Sequence, residues 1–206
     1  DTEALQQQAA RRAVDFVQSG MVIGLGSGST VRFALEEIAF RLNRRRIEDI
    51  CGVPSSTVTE RIARQLGIPL TTLDEYPQPD LNIDGADEVD PDLNLIKGGG
   101  GALLREKVLA QASRRTVFIV DQSKLSPRLG SHWALPVEVI HFAVKSIENY
   151  LTSIGASVAP GPGSAGAGYA AVAGAAAGRH ADVFRPQRDP YQAVAPPSHH
   201  RQAVGR

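Results

Sequence analysis

Residues 81–107 read LNIDGADEVDPDLNLIKGGGGALLREK, and the rest of the chain is organised around them. Leu81 and Ile83 predict the end of a buried strand. Asp84 and Asp87 follow at once, separated only by Gly85 and Ala86. Asp90, Pro91 and Asp92 mark a turn, and Leu93, Leu95 and Ile96 predict a second short strand ending at Lys97. Gly98, Gly99, Gly100 and Gly101 then open a predicted helix that carries Ala102 to Lys107. Acids, a cation, a permissive backbone and free helix N–H groups thus fall close together. That inventory suits an anionic, polyhydroxylated small molecule, with N–H groups for oxyanions and carboxylates for hydroxyls and proton transfer. Each piece alone has a structural reading: the acids of DGAD can cap a turn, and four glycines can be a linker. Two acids at one strand end, a lysine at another and Glu106 on the next helix point together to a site.

Upstream, residues 2–18 predict an amphipathic helix with Leu5, Ala9, Ala13, Val14 and Val17 on one face and Gly20 as its stop. Residues 21–24 predict a strand buried on both faces. It runs into GLGSGST, residues 24–30, and then a helix over 31–45 with Phe33, Ala34, Ile38 and Leu42 on one face. Strand, glycine-rich turn and helix start make the geometry of a phosphate cradle. GLGSGST is neither a complete Walker A motif nor GxGxxG with a following acid, so it does not specify a nucleotide; a ligand-free βα turn is the other reading. Residues 48–54 predict the next strand. Thr57 and Glu60 then form a candidate capping box for a helix that stops at Gly67, and residues 68–70 predict a further strand. Ser55 and Ser56 read equally well as site residues or as part of that cap.

Downstream, the helix after the glycines is expected to bury Leu103, Leu104, Val108 and Leu109. Residues 116–120, TVFIV, predict a central strand, with Asp121 and Lys124 at the C-terminal end where open α/β sheets hold ligands. A lone loop lysine is the plainer reading of Lys124. Residues 135–140 predict a strand and 141–154 a helix. Strands alternating with helices give an α/β class: a mostly parallel sheet with helices on both faces.

Composition narrows the function classes. A formal net charge of zero offers no electrostatic case for nucleic acid or an anionic membrane surface. The single Cys51 excludes an internal disulfide framework and, set in an apolar run, reads as a buried structural thiol. No apolar run is long enough to span a bilayer. The chain opens at Asp1 with no basic-then-apolar leader, and a native start upstream is expected. His132 and His141 stand outside metal-ligand spacing, and CxxC and HExxH are absent, so no metal is expected. From about Ala156 the sequence turns rich in Ala, Gly, Pro, Arg and His. Such a segment buries too little apolar surface to offset its ordering entropy. Residues 1–155 are therefore expected to form the α/β domain, and 156–206, with the pair His199 and His200, a low-complexity disordered tail.

DGADE, IKGGGGAL and REK, in this order and spacing, resemble the A-type ribose-5-phosphate isomerases, from about Ala9 to about Ile154. The resemblance implies a Rossmann-like main domain, followed by a small α+β subdomain and a strand returning to the main sheet. The tail lacks those patterns, so that subdomain is expected to be truncated or disordered. The resemblance further implies interconversion of D-ribose 5-phosphate and D-ribulose 5-phosphate through an enediolate, in the cytoplasmic non-oxidative pentose phosphate pathway and without a cofactor. It makes Glu106 the base, with Asp84, Asp87 and Lys97 as further catalytic groups. Substrate binding falls to Ser27, Gly28, Ser29 and Thr30, to Asp84, Gly85, Ala86 and Asp87, to Lys97, Gly98, Gly99 and Gly100, and to Lys124. Gln6 and Gln7 stand where many members have a lysine that reaches the phosphate. The implied partner is a small sugar phosphate, not nucleic acid or membrane. A homodimer or homotetramer is typical of the family, but its contacts involve the region where this chain departs. Two alternatives stay open: a catalytically impaired sugar-phosphate-binding or regulatory module of the same fold, and an amino-sugar phosphate deaminase, against which DGADE with KGGGG argues.

Overall fold

The computed structural model describes residues 2–160, 167–173 and 191–194. In chain order it contains α1 (Thr2–Val14), β1 (Val22–Leu25), α2 (Ser29–Asn43), β2 (Cys51–Pro54), α3 (Thr57–Gln65) and β3 (Leu81–Gly85). A two-residue pair follows, β4 (Glu88–Val89) and β5 (Leu95–Ile96), then α4 (Leu103–Ala112) and β6 (Thr116–Ile119). After a 3₁₀ turn at Gln122–Lys124 come β7 (Leu135–Ile140), a second 3₁₀ turn (His141–Ala143) and α5 (Val144–Ser153). The described chain ends with β8 (Ser157–Pro160), β9 (Ala167–Ala173) and β10 (Tyr191–Val194).

Five strands pair in parallel in the order β10-β6-β3-β1-β2. The chain leaves β1 for β2 on one side and returns to β3 on the other. The C-terminal ends of β1 and β3 therefore border the crevice at the reversal of strand order, the place where open α/β sheets bind ligands.

Strand alternation gives the sheet two unlike faces. Ile23, Leu25, Leu81, Ile83, Val117 and Ile119 join Ala9, Ala13 and Val14 of α1 and Ala34, Leu35 and Ile38 of α2 in one apolar core. Burying each Ile or Leu contributes about 1.5–3 kcal/mol before ordering entropy is set against it. The opposite face carries small clusters, Val22 and Val53 with Leu109 of α4, and Phe118 and Val120 with Val89 and Leu95. Between them lie Asn82, Asp84 and Thr116, all fully buried. Two glycines make room for this polar row: a β-carbon at Gly24 would lie 2.5 Å from Asn82 Oδ1, and one at Gly26 would lie 2.3 Å from Asp84 Oδ1.

Several sequence expectations shift. Leu5, expected on the core face of α1, is exposed. Ser56, not Thr57, caps α3, accepting a hydrogen bond from Thr59 N at 3.1 Å. Residues 68–70 contribute only a bridge between Leu70 and Gly52. Leu93 is not in the β5 strand: it is exposed with φ 62°, because Asp90 Oδ1 accepts from Asp92 N and Asn94 N and closes a turn there. Cys51 is half-buried. Leu104 and Val108, expected in the core, are exposed, and α4 buries Glu106, Leu109 and Ala110 instead.

Beyond residue 155, β8 and β9 pair antiparallel with β7 in a separate three-stranded sheet of order β7-β9-β8, and β10 lies parallel to β6 at the edge of the main sheet. This strand pairing is made by the backbone, so side-chain periodicity gives little warning of it. Residues 161–166, 174–190 and 195–206, His199 and His200 among them, lie outside the described residues.

Candidate active site

A cavity of about 560 Å³ opens over the C-terminal ends of β1, β3 and β6. Ser27, Gly28, Ser29 and Thr30 line one wall; Gly85, Ala86 and Asp87 line the floor. Lys97, Gly98, Gly100, Glu106, Asp121 and Lys124 also line it, as does the start of α3 at residues 56–59. Residues from five separate stretches of sequence thus converge on one space. Asp84 and Gly99, expected to bind substrate, lie behind this lining.

The glycine-rich turn leads into α2 at Gly28, whose φ of 115° is the left-handed region that glycine tolerates. No side chain caps α2, so its first N–H groups remain available to an anion. Ser27 lines the cavity, and its hydroxyl is engaged within the protein. Its hydroxyl donates to Ser56 Oγ at 2.8 Å, Ser56 donates to Thr59 Oγ1 at 3.0 Å, and Thr59 donates to Gly26 O at 2.8 Å. Ser55 Oγ is also 2.8 Å from Ser27 Oγ. This hydroxyl chain ties the turn to the start of α3, and Ser27, Ser56 and Thr59 line the cavity together with Ser29 and Thr30. Ser55, which is buried, therefore shapes the turn from behind, whereas Ser56 both caps α3 and lines the cavity.

Behind the floor lies a buried cluster of charge. Asp84 Oδ1 accepts from Gly85 N at 2.7 Å and Ser27 N at 3.2 Å, so the turn-capping reading of DGAD holds for this acid. Its Oδ2 lies 3.1 Å from Lys97 Nζ, and Lys97 Nζ is 3.7 Å from Glu106 Oε1. Lys97 Nζ also donates to Gly85 O. Burial works against the ammonium, yet the charges of Asp84 and Glu106 outweigh it and hold the Lys97 pKa above its ordinary value. Glu106 shows the reverse balance. Burial pushes its carboxyl up to about 7 against the pull of Lys97, with the negative charges of Asp84 and Asp87 adding to the rise. Glu106 Oε2 has no hydrogen-bond partner. The site thus holds a carboxylate poised near neutrality, with one oxygen uncommitted, beside a fixed cation.

The glycine run is folded, not a loose linker. Gly101 N donates to Gly98 O at 2.9 Å, and Gly99 N donates to Asp87 Oδ2 at 2.8 Å. Gly98 has φ 97°, and a β-carbon there would lie 2.6 Å from Leu103 Cβ. At the far wall, Asp121 accepts from Gln6 Nε2 at 3.1 Å and from Ser123 N at 2.9 Å. Gln6 therefore reaches the rim of the cavity, whereas no contact brings Gln7 there. Although burial alone would raise it, hydrogen bonds from Ser123 and Gln6 hold the Asp121 pKa below the usual carboxylate range. Two residues near the site escaped the sequence reading, Glu88 and Trp133. Their only signals were a third acid in DGADE and the chain's single tryptophan.

Among the described residues no group of three or more His, Cys, Asp or Glu side chains is arranged to hold a metal ion, and no helix is long and apolar enough to cross a membrane.

Comparison with known proteins agrees with this geometry. Residues 51–162 match the family described as ribose 5-phosphate isomerase A (phosphoriboisomerase A). Ribose-5-phosphate isomerase A of Desulfatibacillum aliphaticivorans is 58% identical over 156 residues, which cover 76% of this chain and 68% of that protein. The Chloroflexus aurantiacus protein of the same name is 57% identical over 157 residues, covering 76% and 66%. The chain thus spans about two-thirds of the length of these curated relatives. A solved D-ribose-5-phosphate isomerase in complex with phospho-erythronic acid superposes with a TM-score of 0.80 at 36% identity, covering 82% of this chain and 78% of that one. The chain belongs to the ribose 5-phosphate isomerase A family.

Proposed function

We infer that the protein interconverts D-ribose 5-phosphate and D-ribulose 5-phosphate by proton transfer through an enediolate, with Glu106 as the base. The observation that carries this reading is the Glu106 carboxyl: buried, raised to about 7, with Oε2 unpartnered at the wall of a cavity that also holds an anion-ready helix start.

The reaction moves hydrogen between adjacent carbons. Glu106 takes the proton from C2 of the open-chain aldose, and the electron pair flows into the C1 carbonyl, leaving an oxyanion on O1. Lys97 and the N–H groups of the glycine run stabilise that charge. Glu106 then returns its proton to C1 as a proton passes from O2 to O1, giving the ketose. One carboxyl group serves both steps, so no net proton is gained or lost. Asp87, on the floor, binds hydroxyls and assists ring opening and the oxygen-to-oxygen proton exchange. Asp84 acts from behind by holding Lys97 and the Ser27 N–H. The N–H groups at the start of α2, with Ser29 and Thr30, grip the phosphate, and Lys124 adds a cation at the rim. A general base of this kind contributes about 10²–10⁴-fold, and electrostatic stabilisation of the oxyanion a comparable factor.

Phospho-erythronic acid, bound by the structural relative, suits the same site. Its planar carboxylate is a stand-in for an enediolate, and its phosphate matches the anion-ready wall. The residues around the cavity act on a small molecule, and assembly into a homo-oligomer in the cytoplasm is the arrangement we propose. The functional test is formation of ribulose 5-phosphate from ribose 5-phosphate by the purified 206-residue chain, with chelator present. Turnover is expected. A folded chain that binds ribose 5-phosphate without converting it would favour the impaired binding module instead.

A further inference from the structure

Glu88 takes no part in the chemistry above, yet its carboxylate is fully buried and closely engaged. Its Oε2 accepts from Gly130 N at 2.9 Å and Trp133 N at 3.3 Å; its Oε1 accepts from Ser131 N at 3.1 Å and His132 N at 3.2 Å. Four consecutive N–H groups turned onto one carboxylate fix the path of that loop. Glu88 directly follows Asp87, so the loop is anchored to the strand beside the cavity floor.

What the loop delivers is the indole of Trp133. A β-carbon at Gly99 would lie 2.6 Å from Trp133 Cζ2, so only a glycine lets the ring sit against that backbone. The same Gly99 donates its N–H to Asp87 Oδ2 at 2.8 Å. The Lys124 ammonium lies 5.6 Å from the centroid of the Trp133 ring, within cation–π range. One side chain thus touches both the glycine run and the cation at the rim, without itself lining the cavity.

We propose that Trp133 is a positioning residue for the isomerisation: held by Glu88, its indole presses Gly99 onto Asp87 and fixes Lys124 at the edge of the cavity. The inference rests on the function proposed above. It assigns to a buried acid and an indole outside the cavity the task of holding the oxyanion-binding N–H groups and the rim cation in register. Small misplacements of such groups are costly to turnover.

Two measurements on the full chain test it. In the first, the unsubstituted protein is titrated with phospho-erythronic acid while the emission of its single tryptophan is followed. A saturable change is expected, and a flat response at concentrations that bind would overturn the proposal. This arm depends on no variant folding. In the second, kcat and KM for ribose 5-phosphate are compared across Trp133→Ala, Trp133→Phe and Glu88→Gln. Trp133→Ala should lower kcat/KM roughly 10- to 100-fold, and Trp133→Phe, which keeps a ring against Gly99 and near Lys124, should recover most of the loss. Glu88→Gln should shift both constants in the direction of Trp133→Ala. Wild-type kinetics in folded Trp133→Ala would overturn the brace and leave the function standing. A saturable emission change in a chain that turns over no ribose 5-phosphate would remove the function, and with it the role of Trp133 in isomerisation, while leaving the contact of Trp133 with the ligand site.

Discussion

The two faces of one parallel sheet do different work. Toward α1 and α2, the strands present Ile23, Leu25, Leu81, Ile83, Val117 and Ile119 to an unbroken apolar core. Toward α4, the same strands present Gly24, Asn82, Asp84 and Thr116, with Gly26 just past the end of β1. Strand alternation makes the separation possible, since neighbouring residues on one strand point to opposite faces. The α4 face stabilises less than it could. Both polar atoms of the Asn82 amide lack a partner, and each such group costs about 1–3 kcal/mol. Ionic side chains replace apolar packing at Asp84, Lys97 and Glu106. In return that face provides a buried pocket wall in which a carboxyl group is held near neutrality. The lesson is that stability and chemistry can be allotted to opposite sides of strands only four or five residues long.

The most severe break in this division is Glu106→Gln. Turnover should fall by roughly 10²–10⁴-fold with KM changed only a few fold, because the amide keeps the shape and loses the base. Steady-state ketose formation measures it, and near wild-type turnover would remove Glu106 from the reaction. Next is Lys97→Met, which leaves Asp84 buried without its counter-ion. Urea unfolding should show a loss of about 3–5 kcal/mol together with lost activity. A variant as stable as wild type would show that Asp84 and Lys97 are not a mutually dependent pair.

Ile23→Ala sharpens the comparison from the apolar face. It should cost about 2–5 kcal/mol in stability while kcat of the folded protein stays within about twofold. If kcat fell in step with stability, the two faces would not be separable. The gentlest perturbation is pH. Glu106 must be ionised to accept a proton, so kcat/KM should fall about tenfold per unit as pH drops below about 7. Stability should move the opposite way. The folded state holds this proton more tightly than the unfolded chain, whose carboxyl titrates near 4.5. The contribution of Glu106 is therefore complete below about pH 4.5 and is lost as pH climbs through about 7. Comparing denaturant midpoints of wild type and Glu106→Gln across that window isolates it.

How far the sequence was legible follows from the range of each interaction. Strand alternation and glycine-rich turns are local signals, so β1, β3, β6 and the wall at residues 28–30 could be read directly. Motif spacing brought Asp87, Lys97 and Glu106 forward, and all three line the cavity. The side of α4 that is buried could not be read. Leu104 and Val108 look like core residues, yet they are exposed, because α4 is turned to place Glu106 against the polar face of the sheet. A helical wheel has no knowledge of which sheet face it will meet. The engagement of the Ser27 hydroxyl depends on contacts reaching Ser55, Ser56 and Thr59, about thirty residues away. The seat of Trp133 depends on Glu88, 45 residues before it. Neither distance leaves a periodic trace in the chain.

The measurement that bears most directly on the central claim is deuterium exchange at C2 of ribose 5-phosphate in D₂O. If Glu106 on the polar face removes that proton, the wild-type protein should exchange it with solvent or carry solvent deuterium into C1 of the ketose, and Glu106→Gln should do neither while still binding phospho-erythronic acid. Exchange by Glu106→Gln at the wild-type rate would contradict the account, because the proton would then be leaving for some other base.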